Sequence, residues 1–353
     1  MERVELHSRF RQSSMMQEVV AKCFAAIRLA IENEKIPGAV LGLIDKNGAR
    51  AIEFGGLALK VGALRAMARD TVFDLASLTK VIFTTNAIMS LVAKRQIALD
   101  DPLSKFIPDI RQYDLSAPER QLTIEQCLTH QTFLPAVEPI YSFGLDPTTM
   151  RAYILQKQWQ HGAFAYSDIN FMLLGIVLER VLGAPLNEQT TPRGTTFAPS
   201  PEHCAATEYC TWRNRLICGE VHDENAFAFG GASGHAGLFG TVDAVLDFAY
   251  DLLNHKLLPP EHTSQLFVRK SAQRALGWEI KYDNWTGGQN CSQNTIGHTG
   301  FTGTGLWIDP EREIAWTLLT NRVHPTRHFE SGIMALRREV GEAIIGAYDA
   351  NYR

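Results

Sequence analysis

Ser77 and Lys80 stand three residues apart in Asp74-Leu75-Ala76-Ser77-Leu78-Thr79-Lys80. A strand-like run, 71–75, gives way there to a helical run from Val81 to Val92. The amino terminus of a helix presents unpaired N–H groups and a positive dipole end, both of which favour developing negative charge. Residues three apart share a helix face, so Lys80 is expected to return its amine over the Ser77 hydroxyl. A serine hydroxyl is a weak nucleophile until a base takes its proton. Lysine serves if burial lowers its pKa from about 10.4 toward neutrality. A capping serine beside a solvated lysine would show the same spacing. This is, however, the only Ser-x-x-Lys in the chain, and it falls on the strand-to-helix junction that the chemistry requires.

Two further clusters carry reactive groups. In Phe164-Ala165-Tyr166-Ser167-Asp168-Ile169-Asn170, Tyr166 precedes a helical run from Phe171 to Leu182. A phenol whose pKa is drawn below about 10 by nearby cations would relay a proton between the serine and a leaving group. The alternative is a tyrosine packed at a helix start that Ser167 or Asp168 caps. Tyr282-Asp283-Asn284 has a similar order, but it follows a strand and precedes Trp285-Thr286-Gly287-Gly288, as a hairpin turn would. The third cluster, Gly297-His298-Thr299-Gly300-Phe301-Thr302-Gly303-Thr304-Gly305, has four glycines in nine residues beside strand signals. Such glycines mark close backbone approach, either in a plain turn or where an N–H is aimed at a substrate carbonyl oxygen. The phosphate-loop pattern Gly-x-x-x-x-Gly-Lys-Ser/Thr is absent.

The elements that must position these residues follow from periodicity. An amphipathic helix is expected over 17–34, then a buried strand, Ala39 to Ile44, which Lys46-Asn47-Gly48 turns back into 51–54. Helical spacing recurs at 81–95, 123–130, 148–158 and 168–182. Strand signals return at 276–280, 305–308 and 314–319, and a last helix covers 330–347. Strands at both ends with helices between predict one α/β lobe from residues 1–80 and 221–353 and a helical lobe inserted over 81–220. The groove between two such lobes is where a small-molecule site is expected.

Composition narrows the partners. The 353 residues carry a net charge of -4 with a pI near 6.3, and no basic run points to nucleic acid. No stretch of about 18 apolar residues runs without charge, so no membrane span is expected. Met1 to His7 lacks the apolar core of a secretory signal, which makes a cytoplasmic location the default, or a periplasmic or secreted one if a leader was removed. Six scattered cysteines read as free thiols, with a Cys204–Cys210 disulfide left open. His203, Cys204, Cys210 and His222 match no zinc-ligand spacing.

In this order, Ser77-Leu78-Thr79-Lys80, Tyr166-Ser167-Asp168 and His298-Thr299-Gly300 resemble the three signature elements of the class C β-lactamase-like serine hydrolases. That family includes β-lactamases, D-alanyl-D-alanine peptidases, D-aminopeptidases and esterases. Ile36-Pro37-Gly38-Ala39, Leu122-Thr123-Ile124 with Leu128-Thr129-His130, Gly237-Leu238-Phe239 and Leu276-Gly277-Trp278 extend the resemblance over most of the chain. It implies an α+β fold: an antiparallel sheet flanked by helices, with an α-helical lobe and the site between them. It also implies Ser77 as acylated nucleophile, with Lys80 and Tyr166 sharing base and acid duties. The backbone N–H groups of Ser77 and Phe301 would form the oxyanion hole, and Thr299 would face the substrate. No metal and no organic cofactor is implied.

Three departures bear on activity. Asp168 stands where the family often has asparagine; a carboxylate there would either hold Lys80 protonated, weakening it as a base, or be a tolerated variant. His298 replaces the lysine of true β-lactamases, which weakens the case for a substrate carboxylate and favours an esterase-like branch acting on a small ester or amide. Phe133 stands where glycine is usual. Val221 to Ala226, Gly234-His235-Ala236-Gly237 and Asn321 to Pro325 resemble a narrower branch, in which His235 would either line the cleft or serve structure. Rival readings are an α/β-hydrolase, whose Gly-x-Ser-x-Gly elbow Gly231-Ala232-Ser233-Gly234-His235 nearly mimics, and a scaffold or binding protein that kept the fold without the chemistry. Oligomeric state is left open.

Overall fold

The computed structural model of the chain describes residues 2–352. Helix α1 (Glu2–Glu32) leads into strands β1 (Gly38–Asp45), β2 (Arg50–Leu59) and β3 (Arg65–Ala66). The turn after β1 forms because Asp45 Oδ1 accepts from Asn47 N and Ala49 N, both at 2.9 Å, while Gly48 takes a φ of 86°. The chain then leaves the sheet. It returns as β4 (Glu279–Ile280), β5 (Ile296–Thr299), β6 (Gly305–Asp309) and β7 (Ile314–Thr320). The seven strands lie in the order β3-β2-β1-β7-β6-β5-β4, every pair antiparallel, with Leu41 opposite Leu318 and Trp307 opposite Trp316. First and last thirds of the chain thus share one sheet.

Strand β1 is apolar at nearly every position because both faces of the sheet are covered. Ala39, Leu41 and Leu43 pack with Trp307, Trp316 and Leu318 against α1 and the final helix α5 (Ile333–Tyr352). Val40 and Ile44 point the other way, into the larger core with Val242, Val245 and Leu246 of helix α4 (Val242–Leu253). Gly42 lets that helix approach, since a Cβ there would meet Val242 Cγ2 at 2.7 Å.

Helix α2 (Asn86–Ala93) and helix α3 (Asp168–Leu182) carry much of the same core, joined by a helical turn at Ile124–Leu128 and a helix at Pro147–Gln156. Thr123 and Gln126 close a reciprocal capping box, and the turn stops before His130, whose φ is 55°. Residues 76–93 are long and apolar enough to cross a membrane, but most of that segment is buried in the core of this fold.

Two expectations change in detail. The helix expected over 81–95 opens as a π-helical turn, Lys80–Thr85, before α2 begins. Thr85 Oγ1 donates to the Lys80 carbonyl at 2.7 Å, which occupies an acceptor that the wider turn leaves over. The strand expected over 276–280 shrinks to Glu279–Ile280. Gly277, at φ 78°, instead donates its N–H to Leu128 O at 3.0 Å. Gly277 and Thr85 are packed so tightly that a Cβ at 277 would lie 2.1 Å from Thr85 Oγ1. Gly277→Ala is therefore expected to cost about 1–3 kcal/mol in urea unfolding, from overpacking and a disfavoured φ. A variant as stable as the parent would show that this contact yields freely.

Candidate active site

The nucleophile candidate sits on a strained turn. A short strand, Phe73–Asp74, pairs with Phe239–Gly240, and the chain then enters a single 3-10 turn, Ala76–Leu78. Ala76 has a φ of 47°, costly for a residue with a side chain. Asp74 holds it there: Oδ1 accepts from Ala76 N at 2.8 Å and Oδ2 from His222 N at 2.6 Å. Ser77 is left half-buried at the mouth of the cleft, while Lys80, one turn on, is wholly buried.

The structure brings Ser77, Lys80 and Tyr166 together. Lys80 Nζ lies 2.8 Å from Ser77 Oγ, and the Tyr166 hydroxyl donates to the same oxygen at 2.9 Å. Lys80 also donates to the His235 carbonyl at 3.2 Å and lies 2.8 Å from Asp168 Oδ1. Asp168 is the first residue of α3, so the helix that ends the Tyr166 segment delivers both groups. Burial pulls the Lys80 pKa down, but the Asp168 carboxylate and Tyr166 outweigh it, and the net shift is upward. This reverses the expectation that burial would bring Lys80 toward neutrality. Burial also raises the Tyr166 phenol above its ordinary value, against the downward pull of Lys80.

The glycine-rich segment is stitched to the nucleophile turn. Thr302 Oγ1 donates to Asp74 O at 2.8 Å, and Thr304 Oγ1 to Leu75 O at 3.1 Å. Gly300 has no room for a side chain, since a Cβ would meet Leu75 O at 2.7 Å. Arg337, buried on α5, donates to Gly300 O at 2.9 Å and Thr304 O at 2.7 Å. Burial lowers its pKa to about 9. Arg322 Nε fixes the Phe301 carbonyl at 2.9 Å, and the Phe301 ring stands half exposed beside His222 and Arg327. His298 and Thr299 lie at the end of β5, and Ser77, His298, Thr299, Gly300 and Phe301 all line one groove of about 580 Å³.

Of the residues that support the site, Arg274 carries no sequence signal of its own. His130 Nδ1 accepts from Ser167 N at 3.1 Å, and its ring packs on Tyr166 with centroids 4.6 Å apart. Arg274 lies over the other part of that ring at 5.2 Å. His235 does not line the cleft: its ring is buried, with Nδ1 on Ser233 Oγ at 2.9 Å and Nε2 on Asp223 Oδ1 at 2.8 Å. Phe133 stacks on His161 at 4.1 Å. The cysteines are all free thiols, and His222 Nε2 faces Glu208 at 2.9 Å instead of a sulfur. Among the described residues, Asp168, Asp223 and His235 have ligand atoms within 4.8 Å of one another, yet the Lys80 ammonium already lies against Asp168.

Comparison with known proteins agrees with this architecture. Residues 18–340 match the family model named Beta-lactamase. The chain is 32% identical over 306 residues to an N-acetylmuramyl-L-alanine amidase of Bacillus subtilis, covering 73% of this chain and 69% of the other. It is also 32% identical over 332 residues to a Salmonella typhimurium protein provisionally named a D-alanyl-D-alanine carboxypeptidase, covering 80% and 76%. A class C beta-lactamase superimposes with a TM-score of 0.71 at 16% identity, covering 92% of this chain and 96% of that one, a likeness of fold.

The buried histidines set a pH limit. Burial, then the charges of Lys80 and Arg274, push His130 and His298 well below the ordinary value of 6.5; burial pushes His324 down to about 4. A group depressed in the fold binds fewer protons there than in the unfolded chain, so its stabilisation is present above about pH 6.5 and falls away below it. Each such histidine withdraws up to about 1.4 kcal/mol per pH unit. Urea unfolding at pH 6.5 and 5.5 is expected to show a clear loss at the lower pH; equal stabilities would mean these rings are charged in the fold.

Proposed function

Since this chain belongs to the Beta-lactamase family of serine hydrolases, we propose that it cleaves a small ester or amide through an acyl-enzyme on Ser77. The observation that carries this reading is the convergence of Lys80 Nζ and the Tyr166 hydroxyl on one oxygen, at 2.8 and 2.9 Å. In the proposed reaction, Ser77 Oγ forms a bond to the substrate carbonyl carbon while its proton leaves by way of Lys80, which passes on one of its own. The carbonyl oxygen takes the developing charge toward the backbone N–H groups of Ser77 and Phe301. Tyr166 returns a proton to the leaving group as the carbon–leaving-group bond breaks, and water then hydrolyses the acyl-enzyme by the same steps in reverse. His298, held neutral, supplies no fixed charge for a substrate carboxylate, which supports esters and neutral amides.

One observation favours a carboxylate-bearing substrate instead. Arg274 and Arg337 line the groove beside Ser77; Arg337 Nε is buried without a hydrogen-bond partner, and so is Arg274 Nη1, whose ion pair with Glu279 is long at 3.7 Å. A substrate carboxylate would satisfy such donors. Similarity to the carboxypeptidase- and amidase-named relatives supports the same reading.

A fluorophosphonate probe followed by intact-protein and peptide mass spectrometry is expected to place one adduct on Ser77, and Ser77→Ala is expected to remove both adduct and turnover. Lys80→Ala should lower turnover by about 10²–10⁴-fold. Short-chain p-nitrophenyl esters are expected to be cleaved faster than a chromogenic cephalosporin. No adduct and no turnover across esters, D-amino-acid amides and D-alanyl-terminated peptides would leave a binding protein of this fold. On the second reading, Arg274→Gln raises KM for a D-alanyl-terminated peptide by about tenfold or more and leaves a neutral ester unaffected; equal effects on both would remove the carboxylate from the argument.

A further inference from the structure

An ammonium has three hydrogens to donate and no lone pair to accept with. Around Lys80 Nζ stand three oxygens at donor distance: Ser77 Oγ at 2.8 Å, the His235 carbonyl at 3.2 Å and Asp168 Oδ1 at 2.8 Å. A charged lysine donates to the first two and stands in ion-pair contact with the third, whose Oδ1 has no hydrogen-bond partner. Ser77 Oγ then accepts from Lys80 and from the Tyr166 hydroxyl, so the serine's own hydrogen points at neither. In this resting arrangement Lys80 cannot take a proton unless it gives one away in the same event. Tyr166 is no ready recipient, because its neutral hydroxyl is itself donating. The His235 carbonyl is a backbone acceptor that does not hold a proton. The remaining neighbour is Asp168. Its side chain is about a quarter exposed and lines a second cavity, of about 420 Å³, that also opens on Ser77 and Tyr166.

The geometry points to Asp168 as the terminal proton acceptor of this site, acting through Lys80; the inference rests on the acyl-enzyme reading above. As a Lys80 N–H bond breaks and that proton moves to Asp168 Oδ1, the lysine nitrogen gains a lone pair and the Ser77 hydroxyl turns its hydrogen toward it. As Ser77 Oγ then bonds to the carbonyl carbon, its O–H bond breaks and the proton moves to Lys80 Nζ. Lys80 ends as it began, an ammonium. Asp168 ends as a carboxylic acid, and the negative charge it carried appears on the carbonyl oxygen. The proton returns along the same path to the leaving group by way of Ser77 and Tyr166, which regenerates the carboxylate. The departure from the asparagine common in the family is then a change in where the proton rests. Asp168 acts through another residue, so it is a positioning and relay residue, not one that touches substrate.

The pH profile separates this role from a purely structural one. The groups that bear on Lys80 are Tyr166 and Asp168 in contact and Asp223, His130 and His298 by charge. Acylation of Ser77 by a p-nitrophenyl ester, followed as burst amplitude and rate from pH 4 to 10, is expected to rise on the acid side and hold a plateau through neutrality, since the relay needs no loss of the Lys80 proton to solvent. In Asp168→Asn the relay has no acceptor and Lys80 must first lose a proton to solvent. The acylation rate at pH 7 is then expected to fall at least tenfold, and the rising limb to move to the alkaline side. Asp168→Glu is expected to keep the parent limb. If Asp168 merely locks Lys80 as a cation, Asp168→Asn is faster than the parent at pH 7, and that result, or an unchanged rate and profile, overturns the inference. A parent protein with no burst at any pH would instead fail the acyl-enzyme reading itself. Thermal unfolding of both variants checks that the fold survives, and an unfolded Asp168→Asn passes the decision to Asp168→Glu, whose loss of the parent limb counts against the relay.

Discussion

Lys80 Nζ is a cation with no exposed surface, and three parts of the chain meet to hold it: the nucleophile turn through Ser77, the start of α3 through Asp168, and the 231–240 segment through the His235 carbonyl. A buried ammonium left unpaired is costly enough to change its protonation or the fold around it. The surrounding structure therefore has to deliver those acceptors together. Thr84 Oγ1 donates to Gly234 O at 2.7 Å, and Leu238 N donates to Thr79 Oγ1 at 3.1 Å, which pins the 231–240 segment along the lysine turn. Gly234 crosses α3 so closely that a Cβ would lie 2.0 Å from Phe171 O. His235, clamped by Asp223 and Ser233, fixes the carbonyl that Lys80 uses.

The sheet enters the account as the rigid wall of the same site. Strand β5 carries His298 and Thr299 to its edge, and the loop beyond is tied to Asp74 and Leu75, the residues just before Ser77. Arg337 reaches the same loop from the last helix, so α5 and the sheet together support the segment that carries Phe301. The helical part supports the lysine side. Ser77 stands where the two meet, with a groove lined by arginines on one hand and a cavity bearing Asp168 and Asp223 on the other. Its strained neighbour Ala76 is held by Asp74 and not by chance of packing.

Much of this was legible in the chain because the informative signals are local. Spacing alone put Lys80 over Ser77, the Asn47-Gly48 turn announced the β1–β2 hairpin, and α3 begins and ends as its apolar pattern requires. What spacing could not give were contacts made across long separations. Arg337 lies 37 residues from Gly300, and His235 lies 155 from Lys80. No periodicity relates such pairs; only the folded chain does. The lysine's protonation state turns on two opposed signals: burial is readable from the Ser-x-x-Lys motif, the carboxylate that outweighs it from Asp168 in the second motif, and their balance only from the folded chain. The π-helical turn at Lys80–Thr85 escaped too, since its apolar pattern is that of an ordinary helix.

The central claim is that one oxygen, Ser77 Oγ, reacts while backbone donors on both sides receive the charge. A crystal structure of the protein after reaction with a small alkyl fluorophosphonate tests it most directly. The account predicts phosphorus bonded to Ser77 Oγ, its phosphoryl oxygen within hydrogen-bond distance of the Ser77 and Phe301 N–H groups, and Lys80 still beside Asp168. Phosphorus on any other residue, or a phosphoryl oxygen turned away from Phe301 toward solvent, would contradict it.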